Sequence, residues 1–154
     1  MGNVFNSDFR DFILALNNNN VSYILVGGYS VILHGYSRTT GDMDIWVKKN
    51  EENYYRIVSA FHEFRMPLFD MTQENFLNNW DVDVFTFGKS PVCIDLMTSV
   101  KGLNFEEAYN NSQIHSIEGL KIRVVHYTDL IKAKQASGRA RDIDDIEKLK
   151  KRKK

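Results

Sequence analysis

Two carboxylates one residue apart, Asp42 and Asp44 in GDMDIWV, are the first pattern in this sequence that could do chemistry. On an extended strand their side chains share a face, while Met43, Ile45 and Val47 point the other way, into a core. Like charges on one face repel and gain nothing from folding unless a cation lies between them. Hard oxygen donors of this kind suit Mg²⁺ or Mn²⁺, which keep several waters and share phosphate oxygens with a substrate. The competing reading is an acidic loop–strand junction. An EF-hand is excluded, because no glycine and distal glutamate follow at its spacing. Asp95, in VCIDLMT, adds a third carboxylate. Ile94 and Leu96 face a core, so Asp95 and Cys93 face away. A carboxylate in such a strand needs a metal or a cation such as Arg38 or Lys134.

Gly27-Gly28 stands where an apolar run hands over to a helix, with Ser30 in the first turn. Glycines let a phosphate approach the backbone, and free N–H groups there attract anions. The pattern is neither a P-loop nor the dinucleotide-binding glycine signature, and a tight turn is the more frequent reason for a lone Gly-Gly. Lys134 lies four residues after Leu130 and three after Ile131, on the apolar side of a helix. It either snorkels to solvent or reaches a phosphate. Arg139, Asp142 and Asp145 recur every three residues, as in a helical ion-pair ladder or a catalytic segment. Tyr29 and Tyr36 have core spacing, though either could stack on a base. Cys93 has no base beside it and reads as a small filler.

These residues need elements to hold them. Ser7 is expected to cap a first helix carrying Phe9, Phe12, Ile13 and Leu16, broken by the asparagines 17–20. Val21–Val26 reads as a buried strand, Tyr29–Tyr36 as a short helix, and Met43–Val47 as a second strand. Asn50 caps a helix to Phe64 that Pro67 closes, and a short helix spans Thr72–Asn78. Val82–Phe87 and Val92–Thr98 form a hairpin around GKSP. After a helix over Phe105–Asn110, Ile114–Ile117 and Leu120–Val125 form a second hairpin, turning at Glu118-Gly119. Thr128 caps a helix ended by Gly138, and a last helix runs from Asp142 into the lysine tail. The expected architecture is α/β (α+β), a mixed sheet with helices packed on it, in a single domain over 1–154.

Composition bounds the rest. Of 154 residues, 43% are hydrophobic and 26% charged, the balance of a globular domain rather than a disordered chain. One cysteine excludes an internal disulfide, and four scattered histidines give no zinc pattern. No apolar run approaches the ~20 residues of a membrane helix. No secretory signal is seen, and Asn6 spoils a Met1-Gly2 acylation motif, so a cytoplasmic location is expected. The net charge of zero conceals an asymmetry: residues 148–154 hold six of the 20 basic residues, leaving a body of −6. An acidic body is no natural clamp for nucleic acid, so such contact would depend on local patches.

Taken together, VGGYSVILHGYSRTTGDMDIWV and the later CIDL resemble the nucleotidyltransferase fold of the DNA polymerase β superfamily. Arg38 and Thr40 in the spacer are similar to those of minimal bacterial members. LIKAKQASGRARDIDDIEKL looks like the corresponding segment of abortive-infection-type nucleotidyltransferase toxins. The resemblance implies an enzyme using Mg²⁺ or Mn²⁺ to move a nucleoside monophosphate from an NTP to an acceptor hydroxyl. Asp42, Asp44 and Asp95 would hold metal and catalyse; Gly27, Gly28, Ser30, Arg38, Thr40 and Lys134 would bind nucleotide. The acceptor could be RNA such as a tRNA end, a protein or a small molecule, and a toxin would have an antitoxin partner. Two alternatives stand beside it: a non-catalytic nucleotide-binding or partner subunit, and a small antibiotic nucleotidyltransferase.

Overall fold

The computed structural model of the chain describes residues 6–89 and 92–153. Within them the order is α1 (Ser7–Asn18), β1 (Tyr23–Val26), α2 (Gly27–Leu33), β2 (Asp42–Val47), α3 (Glu51–Phe64), α4 (Gln73–Leu77) and β3 (Val84–Lys89). Then follow β4 (Val92–Met97), α5 (Phe105–Asn111), β5 (Gln113–Ile117), β6 (Leu120–Val124), α6 (Tyr127–Ser137) and α7 (Ala140–Lys153). The strands form one mixed sheet in the order β3-β4-β2-β1-β6-β5. The hairpins β3/β4 and β5/β6 sit at its two ends, with β2 parallel to β4 and β1 parallel to β6. In the centre, β1 and β2 run antiparallel. The α/β architecture expected from the sequence is the one observed.

Strand alternation divides the apolar residues between two faces. Leu25, Met43, Ile45, Ile94, Leu96, Phe85, Phe87 and Val124 face α1, α3 and α4, whose Phe9, Phe12, Tyr54, Ile57, Phe61 and Phe76 complete the larger core. Ile24, Val26 and Trp46 face the other way, against Ala108 of α5, Leu130 and Ile131 of α6 and Leu149 of α7. Among the described residues, no helix is long and apolar enough to cross a membrane.

Several local boundaries differ from expectation. Asn6, not Ser7, caps α1, its side chain accepting from the Phe9 amide at 2.9 Å. The two residue types cap equally well, so the cap falls wherever the backbone leaves the helix. The His126 imidazole, not Thr128, caps α6 by accepting from the Thr128 amide. Arg65, left-handed at φ 61°, ends α3 before Pro67 is reached. α2 begins at Gly27 and α7 at Ala140, each two residues before the expected start. Glu118 and Gly119 both take positive φ (52° and 81°), the two-residue turn that matches strand twist. Part of the GKSP turn and the Met1-Gly2 motif lie outside the described residues.

Candidate active site

Because β2 and β4 are parallel neighbours, Asp42 stands beside Cys93 and Asp44 beside Asp95. Met43, Ile45, Ile94 and Leu96 fill the aromatic core, which forces all four of these side chains to the opposite face. Adjacent strands lie ~4.8 Å apart, so the carboxyls of Asp44 and Asp95 come within hydrogen-bonding reach. Burial, then the charges of Asp95 and Asp42, push the Asp44 pKa up to about 7, which Lys134 only partly offsets. Neither Arg38 nor Lys134 pairs with Asp95; the hydroxyl of Thr86, its neighbour on β3, donates to Asp95 Oδ1 at 2.7 Å. The half-buried Cys93 thiol is pushed up by burial and by Asp42 and Asp95, keeping it protonated rather than nucleophilic.

The glycine pair is required by close approach. At Gly27 (φ +69°) a Cβ would fall 2.0 Å from Asp44 Oδ2, and at Gly28 one would fall 2.2 Å from Thr40 Oγ1. The turn therefore brings the β2 carboxylate and the spacer threonine against bare backbone. Ser30 does not join them. It is fully buried, its hydroxyl donates to the Gly27 carbonyl at 2.6 Å, and it closes the turn from inside instead of lining the cleft.

A cleft of about 460 Å³ opens above these groups. Gly27, Gly28, Arg38, Thr40, Asp42, Asp44 and Asp95 form its polar side. Val100, Leu103, Leu130 and Ala133 form an apolar wall, and Lys134, Arg139, Arg141 and Asp142 complete the rim. Tyr29 and Tyr36 are not among its lining residues: Tyr29 packs edge-on against Phe9, and Tyr36 donates to Asp144 at 3.2 Å.

The cations are held by acids of α7. Lys134 neither snorkels nor stands free: its Nζ lies 3.3 Å from Asp142 Oδ1 and 2.9 Å from Asp145 Oδ2. Arg38 grips Asp145 side-on, Nε 2.9 Å from Oδ1 and Nη2 3.1 Å from Oδ2. The expected ladder has one rung, Arg139 Nε to Asp142 Oδ2 at 2.7 Å; Asp145 turns inward. Burial pushes the Asp142 carboxyl up, but the Arg139 hydrogen bonds and Lys134 outweigh it and hold it below the usual range. Arg141 was not evident from sequence as a site residue. It lines the cleft, donates to the Thr39 carbonyl at 2.9 Å, and has no carboxylate partner among the described residues. The only signal for it is its place beside Arg139 at the start of an acidic helical turn.

Among the described residues, no group of three or more carboxylate, imidazole or thiol side chains is placed to hold a metal ion. The cluster is open: a coupled pair, Asp44 and Asp95, with exposed Asp42 at its edge. Its excess negative charge and hard oxygens fit a divalent cation that shares its shell with a ligand.

Known proteins share this fold. A family profile described as nucleotidyltransferase of unknown function (DUF6036) matches residues 7–152. No curated protein matches by sequence. Among solved structures, a candidate nucleotidyltransferase from Thermotoga maritima superposes with a TM-score of 0.58 at 17% identity, over 94% of this chain and 91% of that one. The lincomycin-bound lincosamide antibiotic adenylyltransferase LnuA gives 0.56 at 16% identity, over 97% and 98%. An antigenic nucleotidyltransferase-like protein from Paracoccidioides brasiliensis gives 0.53 at 14%, over 92% and 74%. At these identities the structures establish a shared fold.

Proposed function

We propose that this chain, which belongs to the DUF6036 family of nucleotidyltransferases of unknown function, transfers a nucleoside monophosphate from an NTP to an acceptor hydroxyl. The observation that carries this reading is the pairing of Asp44 with Asp95 on parallel strands, directly against the Gly27-Gly28 turn. Asp42, Asp44 and Asp95 would hold Mg²⁺ or Mn²⁺, which when bound supplies positive charge at the reacting phosphate. Asp95, oriented by Thr86, accepts the proton of the acceptor hydroxyl. The acceptor oxygen bonds to the α-phosphorus in line, the bond to the bridging oxygen breaks, and pyrophosphate leaves.

Gly27 and Gly28 admit the phosphates to the backbone, with Thr40 beside them. Arg38 and Lys134 spend much of their charge on Asp145, and Arg139 on Asp142, which leaves Arg141 at the rim to meet the pyrophosphate. Ser30 has no direct part in this reading. The apolar wall of Val100, Leu103, Leu130 and Ala133 suits the base or sugar.

For the acceptor, exposed Lys150, Lys151 and Arg152 on α7 favour RNA, as in toxin-like enzymes, over an uncharged molecule. The test is incubation with each α-labelled NTP and Mg²⁺ or Mn²⁺, against RNA, protein and antibiotic panels. Label transfer into one fraction supports the reading and identifies the acceptor. Metal-dependent NTP binding without transfer to any panel would make the chain a nucleotide-binding subunit instead.

A further inference from the structure

We infer that Asp145 is a positioning residue that latches α7 onto residues 36–41, the segment that delivers Thr40 and Asp42 to the glycine turn. The catalytic consequence rests on the nucleotidyl-transfer reading; the latch itself does not.

From Tyr36 to Gly41 the chain has no regular structure, yet it must be placed closely. Thr40 sits where a Cβ on Gly28 would have to be, and Asp42 opens β2 immediately afterwards. The side-chain ties of this segment run to α7. Tyr36 Oη donates to Asp144 Oδ2 at 3.2 Å, Arg38 grips Asp145, and Arg141 Nη2 donates to the Thr39 carbonyl at 2.9 Å. Positions 141, 144 and 145 lie on one helical face. Further along, a Cβ at Gly35 would stand 3.5 Å from Arg152 Nε, so the helix accompanies the segment from end to end.

Asp145 is the centre of this arrangement. It is fully buried, and its two oxygens reach Arg38 of the segment and Lys134 of α6 at once. One carboxylate thus joins α6 and α7 to a segment 107 residues earlier in the chain. Arg38 Nη1 and Nη2 donate to the Thr39 carbonyl and to Asp145 Oδ2, and Nε lies 2.9 Å from Asp145 Oδ1 without a hydrogen bond. Arg38 therefore serves as the strike plate of the latch. Buried ion pairs of this kind specify position more than they add stability.

The test compares the wild type with Asp145→Asn and with Arg38→Gln. The second cuts the same link from the segment's side and leaves Asp145 paired with Lys134, so it serves if Asp145→Asn does not fold. The first measurement is ¹⁵N relaxation. In both variants, order parameters for residues 37–41 should fall from about 0.85 to below about 0.6, while β1 and α3 keep theirs. The second is titration with Mg²⁺ plus ATP, GTP, CTP or UTP, where the apparent Kd of whichever nucleotide binds should rise at least tenfold.

Retained order at 37–41, loosening spread equally over β1 and α3, or loosening with an unchanged Kd would each overturn the inference. If the wild type binds none of the four nucleotides while 37–41 loosens selectively, the latch stands and the nucleotidyl-transfer reading falls.

Discussion

The two faces of the sheet follow opposite rules. The face under α1, α3 and α4 is closed by edge-on aromatic pairs, Phe12–Phe61 at 5.7 Å and Phe61–Phe87 at 4.8 Å among them. The other face is formed by the alternate residues of the same strands and carries Asp44 and Asp95. Among the described residues, every buried charged side chain, Asp129, Lys134, Asp142 and Asp145, belongs to α6 or α7, on that second side. Apolar burial stabilises without needing a partner of particular geometry. Buried charges give back in desolvation much of what they gain in attraction, but they fix groups in place. The fold concentrates stability on one face and oriented charge on the other.

That contrast is open to challenge by substitution, starting with the largest effect. Asp44→Asn should lower nucleotidyl transfer about 10⁴-fold, equivalent to about 5 kcal/mol of activation free energy, while leaving the fold intact. Labelled-NTP assays and thermal melts on the same preparation check both halves; near-normal transfer would remove Asp44 from the chemistry. Phe61→Ala should do the reverse. It leaves a cavity in the aromatic face, costing about 4 kcal/mol in denaturant unfolding, with site geometry unchanged well below the midpoint.

Third comes pH. In chelator, folded Asp44 holds its proton to about 7, against 3.8 for an ordinary aspartate. The contribution of this group is fully present below pH 3.8, declines as pH rises, and is gone above about 7. The total loss is about 4 kcal/mol. The difference in unfolding free energy between wild type and Asp44→Asn, measured from pH 4 to 8, should therefore grow in the variant's favour. A difference independent of pH would contradict the burial and charge coupling assigned to Asp44.

The smallest effect is expected from Thr86→Val, which deletes only the hydroxyl donated to Asp95. Loss of one exposed hydrogen bond costs about 1 kcal/mol, so transfer should fall roughly fivefold with stability nearly unchanged. A hundredfold fall would give Thr86 a direct part in the reaction.

Much of this contrast is legible in the residues themselves. DMDIW reads as acid, apolar, acid, apolar on a strand, and the structure keeps that alternation. CIDL gives the same message for Asp95, and Gly27-Gly28 marks the turn. Lys134 and Arg38 are legible as residues of interest but not as partners of Asp145, because nothing local indicates which buried cation meets which acid. Ser30 misleads for a related reason: in the first turn of a helix its hydroxyl can serve a ligand or the chain's own carbonyl, and here Gly27 takes it. Arg141 escapes notice because its value comes from reaching Thr39, far away in the chain.

The sequence by itself determines which side of each strand is apolar and where the chain must turn. Two-residue periodicity and the steric freedom of glycine are properties of a few consecutive residues. Only the tertiary structure decides that β2 and β4 are parallel neighbours, and so that Asp44 meets Asp95. It also decides that α7 lies along residues 36–41, so that one buried carboxylate can hold both Arg38 and Lys134. Strand order and ion-pair choice depend on how the whole chain divides its apolar surface between two faces, and no short window of sequence contains that balance.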